Sequence, residues 1–154
     1  MSIENNYQEE GFVTHKGRDF LIQNGYIIKS FNPPGSHGGI TLMGSYRGRG
    51  SITPDIIAQK DDDIFIVEAK ARFYQGDVDK LENINEGHIR DLKNKLNLSN
   101  VWFDKRQECL HKAICIGATK KEIEELSIPN HVFVFAYSSG RIVVYKAGEI
   151  VNQI

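Results

Sequence analysis

The stretch that decides the fold is Pro54-Asp55-Ile56-Ile57-Ala58-Gln59-Lys60-Asp61-Asp62-Asp63-Ile64-Phe65-Ile66-Val67-Glu68-Ala69-Lys70. Two runs rich in β-branched and aromatic residues, 55–59 and 64–71, flank a turn-forming cluster of Lys and Asp, the pattern of a β-hairpin. A turn centred on Asp61-Asp62 sets Gln59 opposite Ile64, Ile57 opposite Ile66 and Asp55 opposite Glu68. Directly opposed side chains share a face, with Cβ atoms roughly 4.5–5.5 Å apart. Lys70, two residues beyond Glu68, falls on that face as well. The opposite face carries Ile56, Ala58, Phe65, Val67 and Ala69, and even the acidic face is apolar at Ile57 and Ile66. A hairpin apolar on both sides belongs inside a sheet covered by helices.

Two carboxylates facing each other at one end of such a hairpin are unfavourable. Like charges directly opposite destabilise a sheet, and a partly buried pair raises one pKa. A hard divalent cation held by oxygen ligands is the simplest compensation. The plainer alternative is that Lys70 neutralises Glu68 while Asp55 sits in solvent at the strand start.

Working outward, residues 3–24 read as mainly helical, with Val13, Phe20 and Leu21 near one face, Gly11 and Gly17 weakening it and Asn24-Gly25 as its stop. Residues 26–31 read as a strand. Residues 32–54 read as loop, holding six glycines and three of the four prolines. Beyond the hairpin a helix is expected over 77–98, its inner stripe formed by Val78, Leu81, Ile84, His88, Leu92 and Leu96. A buried strand follows at 113–117, a short charged helix at 120–126, and a closing hairpin of 131–137 and 141–146 around Ser138-Ser139-Gly140. The fold class is therefore α/β (α+β): a central mixed β-sheet flanked by helices, an αβββαβ core over about 3–117 and an αββ extension over 118–154, all in one domain.

The chain has 154 residues, 40% of them hydrophobic and 25% charged, so neither a disordered nor a low-complexity chain is expected. The 19 Lys and Arg nearly balance the 20 Asp and Glu, giving a net charge of −1. That sum by itself argues against a broad basic grip on nucleic acid. The charges are segregated, however. No acid lies between Asp19 and Asp55, where Lys29, Arg47 and Arg49 occur, whereas Asp55, Asp61, Asp62, Asp63 and Glu68 follow. No apolar run approaches the 18 or so residues of a membrane span. The polar, acidic start is unlike a signal peptide, so a cytoplasmic protein without membrane contact is expected. Cys109 and Cys115, with five residues between them and no CxxC, read as buried reduced thiols. The remaining signals are weaker. His88, on the apolar stripe, reads first as a core histidine, Gln75 is a minor site candidate, and no GxSxG elbow supports serine catalysis.

Pro54-Asp55, a gap of twelve residues, then Glu68-Ala69-Lys70 resembles the PD-(D/E)XK nuclease signature, that of the superfamily of restriction endonucleases and archaeal-type Holliday-junction resolvases. The order helix, three strands, helix, strand over 3–117 resembles the same superfamily's core, and residues 118–154 fall outside the likeness. The resemblance implies that Asp55 and Glu68 bind Mg²⁺ or Mn²⁺, with the Ala69 carbonyl as a further ligand, and that Lys70 orients or helps deprotonate the attacking water. An acid from the first helix often completes such sites. Glu10 is the choice, in helical line with Val13, Gly17 and Phe20, with Glu9 and Asp19 as rivals. Arg47 and Arg49 would touch the phosphate backbone, helped by flexible glycine neighbours. The expected protein is a metal-dependent endonuclease hydrolysing DNA, with no small-molecule cofactor, and a homodimer if it cuts two strands. The alternatives are a nuclease-like module that only binds nucleic acid or protein, and a nuclease acting on RNA.

Overall fold

The Asp61-Asp62 turn closes two strands, β2 (Ile56–Lys60) and β3 (Asp63–Lys70), and the register is the expected one: Gln59 pairs with Ile64, Ile57 with Ile66 and Ile56 with Val67. Asp61 adopts φ 52°, a left-handed conformation that Asp tolerates better than most residues. The computed structural model of the protein describes residues 3–44 and 50–154, and side chains from residue 11 onward.

Around this hairpin a seven-stranded sheet is built in sequential order. β1 (Ile27–Phe31) lies antiparallel to β2, while β4 (Leu110–Gly117) and β5 (Val132–Ser138) continue beyond β3 in parallel. Antiparallel β6 (Arg141–Lys146) and β7 (Glu149–Val151) complete it. The sheet is thus mixed, and residues after 117 extend it. Both parallel connections advance in the same direction across the sheet, and right-handed crossovers then put their helices on one face. The first connection carries α2 (Gln75–Glu82), α3 (Glu86–Lys95), α4 (Asn100–Asp104) and α5 (Arg106–Cys109). The second carries α6 (Lys120–Glu124). The other face is left to α1 (Ile3–Gln23).

Strand alternation sorts the core into two clusters. Ile57, Ile64, Ile66 and Ile114 pack with Val78, Leu81, Leu92 and Trp102 on the α2–α5 face. Ile56, Ala58, Phe65, Val67 and Cys115 pack with Val13, Leu21 and Tyr26 under α1. Residues 64–69 are buried without a break, as a hairpin apolar on both faces requires, and each such aliphatic or aromatic side chain stabilises the fold by roughly 1.5–3 kcal/mol. Trp102 also donates from Nε1 to the Asp62 carbonyl at 2.8 Å, pinning α4 to the hairpin turn.

Three expectations are corrected. The single helix over 77–98 is two helices, because Asn85 caps α3: its side chain accepts from the Gly87 and His88 amides while His88 Nδ1 accepts from the Asn85 amide. A side chain committed to an N-cap starts a new helix. The stripe survives, since Ile84, His88 and Leu92 stay buried on either side of the break. Next, a third strand follows the closing hairpin, through a two-residue turn at Ala147-Gly148 with φ 54° and 79°. Finally, Cys109 is only half-buried, although both thiols are free and Cys115 is fully enclosed, its pKa pushed up to about 12, first by burial and then by the charge of Asp55.

Candidate metal centre

β1 and β2 slip register between Ile28 and Ser30 and then pair regularly to Phe31 and Ile56, the end where the acids stand. There the Asp55 carbonyl accepts from the Asn32 amide at 2.8 Å. The Asp55 main chain is thereby engaged with β1, and its side chain meets β3 instead: Oδ2 accepts from the Ala69 amide at 2.7 Å. The amide and carbonyl of one extended residue point to the same side of the strand, so the Ala69 carbonyl faces the Asp55 edge too. One level down, Glu68 points to the α2–α5 face and is 3% exposed.

Glu68 is a strongly perturbed carboxyl. Its pKa rises from 4.5 to about 8, first because burial strips water from the ionised form and then because Asp55 is beside it. Lys80 opposes the shift: its Nζ lies 2.8 Å from Glu68 Oε1 and donates to the Thr53 carbonyl at 3.3 Å. A nearly enclosed acid whose pKa is raised despite an adjacent ammonium marks a place short of positive charge. Hard oxygen donors gathered there suit Mg²⁺ or Mn²⁺ far better than a soft metal. Among the described residues no group of three or more His, Cys, Asp or Glu side chains gathers. The site therefore offers two carboxylates and main-chain oxygen, with water to complete a shell.

Of the residues singled out from the sequence, the fold brings Asp55, Glu68 and Ala69 together. Lys70 ends β3, half-buried, with Nζ 5.8 Å from the centre of the Tyr74 ring. Glu10 belongs to α1, but its side chain, like that of Glu9, lies outside the described residues, as do Arg47 and Arg49. The course of α1 is defined nonetheless. Tyr26, just past its C-terminal end, stacks edge-on against Phe65, while the Val13 carbonyl accepts from the thiol of Cys115, the strand partner of Ala69. The helix therefore runs antiparallel to β3, and its N-terminal turns lead toward the Asp55 end of the sheet. Asp19, two turns further along, pairs with Arg18 at 3.1 Å. Gln75 donates to Asp79 on its own helix. His88 is structural: buried, it caps α3 through Nδ1 and donates from Nε2 to the Gly50 carbonyl.

Lys80 is the residue that sequence reasoning missed, and it comes from α2. In the sequence Asp77 and Lys80, spaced three apart, merely flank the Val78–Leu81 apolar line, which is no signal for a site. Asp77 on the same helix is buried.

Comparisons of the chain with protein-family models, curated proteins and solved structures find no match. No helix among the described residues is long and apolar enough to cross a membrane.

Proposed function

We propose that the protein is a metal-dependent nuclease of the PD-(D/E)XK kind, a cytoplasmic hydrolase of DNA phosphodiester bonds that acts as a homodimer where both strands are cut. The observation that carries this reading is the Asp55–Glu68 pair, opposed at the end of a buried hairpin, with Glu68 nearly enclosed and its pKa raised by burial and by Asp55. Asp55 and Glu68 would hold Mg²⁺ or Mn²⁺ with the Ala69 carbonyl, and Glu10 is the candidate fourth donor. When bound, the cation supplies a Lewis acid for the phosphoryl oxygen and a lowered pKa for water. The chain's own residues do the positioning. The Ala69 amide fixes the Asp55 carboxylate. Lys70, one residue further along β3, orients the attacking water and stands as a fixed cation where negative charge grows on the phosphate, the kind of preorganised stabilisation worth most in a poorly solvated site. The element order supports the reading as well: a helix, three strands, a helical connection and a fourth strand over residues 3–117.

The test is cleavage of plasmid, single-stranded DNA, four-way junctions and RNA with Mg²⁺ or Mn²⁺. Wild-type protein is expected to cut at least one DNA substrate, and Asp55→Ala and Lys70→Ala to lower the rate roughly a hundredfold or more. Cutting confined to RNA would move the substrate class. Identical behaviour of wild type and both variants would overturn the nuclease reading.

A further inference from the structure

Lys80 reaches the carboxylate pair from outside the strand pair that builds it. It projects from α2, its ammonium 2.8 Å from Glu68 Oε1 and 3.3 Å from the carbonyl of Thr53, two residues before Asp55. The two members of this ion pair differ in their freedom. Glu68 is 3% exposed and fixed in the middle of the sheet, whereas the Lys80 side chain is 33% exposed on a four-carbon stem that leads to solvent. A divalent cation on Glu68 Oε1 would sit within about 2.0–2.6 Å of that oxygen, where the Lys80 ammonium at 2.8 Å would be a like charge in contact. The two cations exclude each other, and only Lys80 can leave without moving a strand.

Resting on the metal-site reading above, we infer that Lys80 is the resident cation of this centre, a positioning residue that holds the Glu68 carboxyl in the metal-free protein and that an incoming divalent ion must displace. The affinity of the site for its metal is then set partly by the strength of an internal ion pair. This role is distinct from that of Lys70, which extends the same strand as Glu68 and need not move.

The measurement is binding of Mn²⁺ alone, followed by the loss of the free-ion electron paramagnetic resonance signal, on full-length wild type, Lys80→Met, Lys80→Gln, Lys80→Arg and Glu68→Gln. Removing the competing ammonium in Lys80→Met should tighten Mn²⁺ binding roughly tenfold, equivalent to about 1.4 kcal/mol. Lys80→Arg, which keeps the charge, should stay near wild type. A role for Lys80 in merely bracing the helix would weaken binding or leave it unchanged in Lys80→Met, and either result overturns the inference. Lys80→Gln makes the same comparison should Lys80→Met not fold. Equal Mn²⁺ uptake by wild type and Glu68→Gln is a different failure, since it removes the metal centre itself.

Discussion

At the scale of single residues, Glu68 makes stability depend on pH. Its folded pKa, about 8, stands above the 4.5 of an unperturbed side chain, with burial the first cause and Asp55 the second. For an acid shifted upward, the folded state holds the proton longer than the unfolded state does. Its contribution is therefore most favourable below about pH 4.5, declines as pH rises toward about 8, and is level beyond that. The expected outcome is a thermal midpoint for wild type that falls over this window relative to Glu68→Gln, which has no proton to lose. Adding Mg²⁺ should flatten the decline, because a bound cation stabilises the ionised carboxylate. Parallel midpoint curves for the two proteins would refute the assignment. The opposed pair itself was legible in the sequence, since a two-residue turn fixes which residues face each other. Lys80 was not, because its approach depends on how α2 lies across the sheet, which no local spacing encodes.

At the scale of elements, two glycines in one helix make opposite demands. A Cβ on Gly17 would lie 2.9 Å from the Cys115 sulfur and 3.5 Å from Ile56, while one on Gly11 meets nothing within 4 Å. Gly17 is the place where α1 presses onto the sheet, so this residue, poor in any isolated helix, is there for close packing. Gly11→Ala should stabilise by about 0.5–1 kcal/mol, the ordinary gain of Ala over Gly in a helix interior. Gly17→Ala should destabilise by about 1–3 kcal/mol through overpacking. Denaturant midpoints moving in the same direction for both would show that α1 does not sit against Cys115 as described. The broken helix after Lys70 carries a related lesson. Its apolar stripe was readable from Val78 to Leu92, but the stripe continues through the Asn85 cap, so periodicity alone ran two helices into one. The cap depends on a side chain choosing the backbone of its own chain over solvent, a choice that residue type permits without dictating.

At the scale of the whole molecule, part of the segment between β1 and β2 joins the core although it reads as loop. Leu42 is fully buried among Ile57, Ile66, Val78 and Leu92 and is bridged to Ile52 by paired main-chain hydrogen bonds. The Asp91 carboxylate accepts from the Met43 amide at 2.8 Å, Lys95 donates to the Thr41 carbonyl and His88 to that of Gly50. Leu42→Ala should therefore cost about 2–5 kcal/mol of global stability, as in a strand core, read from equilibrium unfolding. A loss below about 1 kcal/mol would show that the segment only rests on the surface. What the sequence by itself determined are the local and periodic features: a mixed sheet with helices, the register of the β2–β3 hairpin, and hence an acid facing an acid. Turn chemistry and side-chain alternation act over a few residues and leave little choice. Only the tertiary structure decided which helix brings a cation to that pair, that Lys80 is that cation, that Asp55 holds the Ala69 amide and that Leu42 of a glycine-rich loop joins the core. Those contacts join residues far apart in the chain, and they are set by the hand of the crossovers and by which faces bury the most apolar surface when the layers close.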